Sequence, residues 1–188
     1  MEDSDPRRIR DARSGDAAGC AAIYAPYVTG TTVSFEAEPP SPEEMGRRIA
    51  AAQERHAWLV LEDGLEDGGA LIGYAYGGPF MARAAYAWST AVSVYVDQGR
   101  QRTGAGRSLY EALFERLAGR GLRMALAGIT LPNEPSVGLH RALGFEPVGT
   151  YRRVGWKHGA WRDVLWLQRQ LGTDDGPPAQ LGRAGLSG

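Results

Sequence analysis

Apolar positions along the chain change period several times, and each change marks an element. Ile9 to Ala12 predicts a short first strand. From Asp16 to Val28, Ala18, Ala22, Ile23 and Tyr27 recur at helical spacing. Ser41-Pro42-Glu43-Glu44 has the form of a helix start, with Ser41 as N-cap, Pro42 in the first turn and Glu44 completing a capping box. That helix is expected to end between Gln53 and Arg55. Trp58 to Leu61 reads as a buried strand, and the Gly-rich turn after Asp63 predicts an antiparallel return from Ala70 to Tyr76, ended by Gly77-Gly78-Pro79. Tyr86 to Val96 is the longest strand candidate. A helix follows from Ser108 to Leu117, then a strand from Met124 to Thr130 and a short helix from Ser136 to Leu143 stopped by Gly144. Phe145 to Leu171 predicts two closing antiparallel strands. The order βααββ-β-α-β-α-ββ implies an α/β fold, a mixed, mostly antiparallel central sheet flanked by helices.

With 188 residues, one domain over 8–171 is expected, between a disordered N-terminus (1–7) and a Gly- and Pro-rich disordered tail (172–188). A composition of 43% apolar and 23% charged residues with net charge −1 is that of an ordinary globular domain. It gives no basic excess for nucleic acid, and no apolar run is long enough for a membrane span. The lone Cys20 excludes an intrachain disulfide and fits a reducing cytoplasm. His56, His140 and His158 lack metal-ligand spacing, so no metal is expected.

Candidate chemistry concentrates in Gln101-Arg102-Thr103-Gly104-Ala105-Gly106-Arg107, between the longest strand and a helix. Backbone N–H groups at such a turn suit a phosphate or pyrophosphate, and glycines let the anion approach. A purely structural turn is the other reading. The dinucleotide fingerprint fails, because Leu109 stands where its third glycine belongs, and the Gly-Lys-Ser/Thr of a Walker loop is absent.

The loop's Gln101, Gly104 and Gly106 match the acyl-CoA loop of the GCN5-related N-acetyltransferases (GNAT), Gln/Arg-x-x-Gly-x-Gly/Ala. Asn133-x-x-Ser136-x-x-x-His140-x-x-Leu143-Gly144-Phe145 resembles a second segment of that superfamily. Pro79 to Tyr86, Ser93 to Val96, Leu131-Pro132-Asn133 and Gly155 to Val164 narrow the resemblance to phosphinothricin and methionine sulfoximine acetyltransferases, over roughly residues 8 to 171.

The resemblance implies the GNAT fold, acetyl-CoA as cosubstrate, and acetyl transfer to the primary amine of a small amino acid or analogue; direct transfer with no acetyl-enzyme is expected because Cys20 is far from the cofactor motifs in sequence. It assigns Val94, Tyr95, Val96, Arg102, Thr103, Gly104, Ala105, Gly106, Arg107 and Asn133 to the cofactor. Arg83, Tyr86, Ala91, Val92 and Ser93 fall to the substrate, and His140 to catalysis as the acid for the leaving thiolate. A homodimer is implied by analogy. Each assignment has a plainer rival: His140 as a hydrogen-bonded structural histidine, Asn133 as a helix cap, Tyr95 as core, Arg83 as a solvated charge. Two departures stand out. Ala91 occupies the place of a glutamate general base, and Met81 that of a lysine. Glu36, a water chain or an already neutral amine are candidate replacements for the base. The departures keep two other functions in view: acetylation of protein N-termini or polyamines, and a weakly catalytic acyl-CoA-binding module.

Overall fold

The computed structural model describes residues 7–64, 68–172 and 176–178. Its elements follow the predicted order: β1 (Arg7–Asp11), α1 (Ala17–Gly30), α2 (Pro42–Arg55), β2 (Trp58–Asp63), β3 (Leu71–Pro79), β4 (Ser89–Val96), α3 (Ala105–Gly119), β5 (Met124–Thr130), α4 (Glu134–Ala142), β6 (Glu146–Lys157) and β7 (Ala160–Gln170). They build one seven-stranded sheet in the order β1-β2-β3-β4-β5-β7-β6. Every neighbouring pair is antiparallel except β4 and β5.

Two cores lie on opposite faces of this sheet. On one, α1 and α2 bury Cys20, Tyr24, Val28, Met45 and Ile49 against Trp58, Val60 and Tyr74. On the other, α3 lays Leu109, Leu113 and Leu117 over Leu59, Ala75 and Val92, and α4 adds Val137. Full burial of a leucine side chain is worth about 1.5–3 kcal/mol, so these stripes fix how the helices seat.

Several boundaries differ from the sequence reading. Gly77-Gly78-Pro79 continues β3 instead of ending it, pairing with Val92, Ala91 and Thr90. Gly77 is there because a Cβ would meet Thr90 Oγ1 at 2.7 Å and Leu117 at 3.0 Å, so α3 needs the bare backbone. Pro79 is tolerated at the strand's last position. Arg7, expected in the frayed N-terminus, pairs with Asp63 in β1. Residues 1–6 and most of the expected tail lie outside the described residues. Tyr86 belongs to a short 3-10 turn (Ala84–Tyr86) before β4. Both α3 and α4 begin earlier than periodicity suggested, since their first turns are polar or glycine-containing. Ser41 does cap α2, its Oγ accepting the Glu44 N–H at 3.2 Å. The Glu44 carboxylate, however, takes hydrogen bonds from Arg47 and Arg48.

A buried ionic triad ties β1 to β2 and to the entry of α1. Arg10 donates to Asp16 at 2.7 and 2.9 Å and to Glu62 at 2.5 Å, with the Glu62 side chain only 1% exposed. Burial alone would raise the Asp16 pKa, but Arg10 and the Arg13 backbone outweigh it and hold the carboxyl below its usual range. Removing the guanidinium strands two buried carboxylates. Arg10→Met should therefore destabilise the fold by about 3–5 kcal/mol in denaturant unfolding.

Candidate active site

The site originates where β4 and β5 part. They pair only at Ser89–Met124, Thr90–Ala125 and Ala91–Leu126. Beyond that, β4 stays on β3 as far as Gly73–Val96, and β5 stays on β7 as far as Thr130–Val164. The gap between them is a 60 Å³ chamber lined by Val92, Ser93, Val94, Tyr95, Gly128, Thr130, Tyr110 and His140. Outside it runs a 720 Å³ groove along Val94, Val96, Gln101, Arg102, Gly104, Ala105, Gly106 and Arg107. Val33, Val94, Asn133 and Ser136 line both, so groove and chamber are one path.

The outer groove ends at the N-terminus of α3. Gly104 caps that helix at φ 81°, a left-handed conformation that glycine adopts freely, and Arg102 precedes it at φ 63°. The first-turn N–H groups and the helix dipole make this end an anion site. Gly106 lies between two groove walls, since a Cβ there would meet Leu139 at 3.4 Å and Val96 at 3.8 Å, both ordinary contact distances. Arg100 pairs with Asp63 and Arg107 with Glu111, each at 2.9 Å on exposed surface. Such pairs are worth only ~0–1 kcal/mol, so both arginines can turn to an incoming phosphate at little cost. Tyr27 fastens the groove's base by donating to the Val96 carbonyl at 2.5 Å, and Gln101 donates to Tyr27 Oη at 2.9 Å. These residues fit a CoA pyrophosphate and its pantetheine arm.

The chamber is backed by aromatic rings. Tyr110, Phe114, Phe145 and His140 pack ring against ring, stacked, tilted or edge-on, with centroids 5.0–5.7 Å apart. His140 Nδ1 stands 2.7 Å from the Ser136 carbonyl, which can only accept, so Nδ1 carries the proton. Nε2 then accepts from the Tyr110 hydroxyl at 3.1 Å. Burial lowers the imidazole pKa more than the Ser136 bond raises it, so the ring is neutral at pH 7. In this resting form Nε2 is a proton acceptor, so His140 would have to take up a proton before it could serve as the expected acid for the leaving thiolate.

The other expected residues divide. Val92, Ser93, Val94, Val96, Arg102, Gly104, Ala105, Gly106, Arg107 and Asn133 line the path. Asn133 also caps α4, accepting the Ser136 N–H at 3.2 Å, so both of its readings hold. Tyr95 lines the chamber, while its ring packs against Tyr24, Tyr27 and Tyr74. Thr103 is not among the lining residues; it donates to the Arg100 carbonyl and accepts from Arg7. Arg83, Tyr86 and Ala91 line neither space, and Tyr86 rests edge-on against Phe80. Glu36, a candidate replacement base, is gripped by Arg48 at 2.7 and 3.0 Å and by Tyr24 at 2.9 Å. Arg48 holds its pKa below the usual value, which leaves a weak base. Sequence reasoning missed Tyr110 and Val33. Tyr110 is hidden within the apolar stripe of α3, and Val33 lies in an irregular loop without pattern.

The GNAT acetyltransferase domain model matches residues 9–166. The chain belongs to the GNAT acetyltransferase family. It is 42% identical to the phosphinothricin N-acetyltransferase of Streptomyces viridochromogenes, over 88% of each chain. It is 35% identical to the L-methionine sulfoximine/L-methionine sulfone acetyltransferase of Pseudomonas paraeruginosa, covering 87% of this chain and 94% of that one. Among solved structures, the phosphinothricin acetyltransferase of Sinorhizobium meliloti in complex with AcCoA superposes with TM-score 0.85 at 33% identity, covering 93% and 94% of the two chains. The protein is accordingly an acetyl-CoA-dependent N-acetyltransferase.

The unfolded-state imidazole titrates near 6.5, and the folded ring below it. The stability contributed by neutral His140 is therefore present above about 6.5 and is lost as pH falls toward the folded value. An NMR titration should place His140 below 6.5. Tyr110→Phe, which removes the donor to Nε2, should shift it back upward and cost about 1 kcal/mol of stability.

Proposed function

We infer that this enzyme acetylates the primary amine of a small amino acid or analogue, of the phosphinothricin or methionine sulfoximine type, by direct transfer from acetyl-CoA. The observation that carries this reading is the continuous path from the anion site at α3 to a 60 Å³ chamber, room for an acetyl group and the amine nitrogen that meets it. The names of the 42% and 35% identical relatives supply the acceptor type. Direct transfer is supported by Cys20, which is fully buried in α1 with its thiol pushed by burial up to about 12. A thiol so placed does not serve as an acetyl carrier.

Acetyl-CoA supplies the activated acetyl group; the chain must handle the amine's proton. Ala91 has no acid–base group, and Glu36 is committed to Arg48 and Tyr24. Tyr110 and His140 remain, both lining the chamber and already hydrogen-bonded. Tyr110 Oη can accept a proton from the amine side while passing its own to His140 Nε2, and the resulting imidazolium can return one to the departing sulfur. Cytoplasmic residence fits the single reduced cysteine.

Homodimer formation is supported by the β6–β7 hairpin, which leaves Val148, Tyr151, Val154, Trp156 and Trp161 all more than half exposed. An apolar band of this kind is usual where a partner covers it. In sedimentation, the native chain should run as a dimer, and Trp156→Glu should shift it toward monomer.

Incubation with acetyl-CoA and a panel of amino acids, phosphinothricin and methionine sulfoximine, read by release of free thiol, tests the function. Turnover on one or more of these small amines is expected; CoA binding without turnover on any would refute it. Activity should fall as acid protonates His140, with an apparent pKa below 6.5. Tyr110→Phe should lower kcat by roughly 10²-fold with acetyl-CoA affinity retained.

A further inference from the structure

The hairpin motif Gly155-Trp156-Lys157-His158 reaches the loop between α1 and α2 at three points. Lys157 Nζ enters a nest of three carbonyls, donating to Val28 at 2.6 Å, Ser34 at 2.6 Å and Glu36 at 3.0 Å. Two residues earlier, Gly155 makes room for Phe35, whose ring a Cβ at 155 would overlap. One residue later, His158 donates to the Thr31 carbonyl at 3.1 Å. Residues 31–41 between the two helices carry no helix or strand, so this stretch has no ladder of its own. Its fixed points are the hairpin and the Tyr24–Ser34–Glu36–Arg48 hydrogen bonds beneath it.

What the loop carries explains why it must be held. Val33 lines both groove and chamber, as Asn133 does. An ammonium with three carbonyl acceptors exchanges its water shell for charge-assisted bonds worth about twice neutral ones. The same contacts satisfy carbonyls that an irregular segment would otherwise leave without partners. The hairpin's own strands are already joined by backbone pairing up to Lys157–Ala160, so their pairing does not call for a lysine here.

We propose that Lys157 is a positioning residue for the acceptor amine: by clamping residues 28–36 it sets the Val33 wall of the chamber and so governs amine binding. It acts through the loop, whose Thr31 and Val33 also edge the outer groove, and leaves the anion site at the N-terminus of α3 untouched. The inference rests on the chamber being where amine and acetyl group meet.

The test uses the full chain with Lys157→Met and, independently, Gly155→Ala, which displaces Phe35 from the same loop. Each variant should lower kcat/KM for the amine by roughly 10- to 100-fold, chiefly through KM. Acetyl-CoA affinity, measured by calorimetry, should stay within about threefold, since the anion site is unaltered. Amide exchange over residues 31–36 should speed up by about tenfold or more. A folded variant whose amine kcat/KM stays within about twofold of the parent, or whose acetyl-CoA affinity falls as far as the amine's, overturns the proposal. If Lys157→Met does not fold, Gly155→Ala decides alone. If the parent enzyme acetylates none of the amines, the functional reading fails, and amide exchange alone judges the clamp: unchanged exchange in the variants overturns it.

Discussion

β4 and β5 run parallel and touch for three residue pairs, after which each is held along its far edge by an antiparallel neighbour. Because β3 secures β4 and β7 secures β5, the two can separate without loss of the sheet. Separation leaves backbone N–H and C=O groups of Val92 to Val96 facing a gap, and such groups must be satisfied. An extended, amide-bearing ligand can satisfy them in the manner of an added strand. The aromatic cluster of Tyr110, Phe114, His140 and Phe145 fills the α3–α4 side and stops the gap from closing. Groove, chamber and proton-handling pair all follow from this one break in pairing.

The break also explains how a chain of net charge −1 can bind a polyanion. No global basic surface is required, since the charge is local and partly held in reserve. Arg100 and Arg107 rest in exposed pairs with Asp63 and Glu111, while the α3 N-terminus offers fixed dipoles that need no counterion. The buried Arg10–Asp16–Glu62 triad at the far edge of the sheet works differently. It is desolvated and its charges are paired with one another, so it is structural and not an exchangeable reserve.

Much of this was legible because local chemistry and tertiary role coincide. Met124–Thr130 was read residue for residue, since an apolar run bounded by turn signals has little freedom in its limits. The Gln101–Arg107 loop was legible because glycine in a left-handed turn and groove access for a ligand demand the same residue at neighbouring positions. Gly77 misled because the same residue type served packing against Leu117 and not a turn. Tyr110 carried no signal, because a hydroxyl within an apolar helical stripe reads as core until the helix opposite is known. Arg83, Tyr86 and Ala91 were assigned through resemblance alone, and in this chain the chamber is lined without them.

The alanine at 91 takes on meaning from the geometry of β4. Side chains alternate along a strand, so Ala91, Ser93 and Tyr95 share the face beneath α1 and α2, where the Tyr95 ring meets Tyr24. Tyr110 and His140 stand on the other face, with α3 and α4. A carboxylate at 91 would take the amine's proton on the first face, in a region already holding the Glu36–Arg48 pair. With alanine there, the acid–base groups that line the chamber on the second face are Tyr110 and His140, the route we propose for the proton. Burial is what makes that route workable: it keeps His140 neutral near pH 7 and therefore able to accept, whereas a solvated imidazole next to the Glu36 carboxylate would gain positive charge. On the proposed route, the desolvation that makes His140 a poor resting acid is thus the same property that would let it stand in for the missing base.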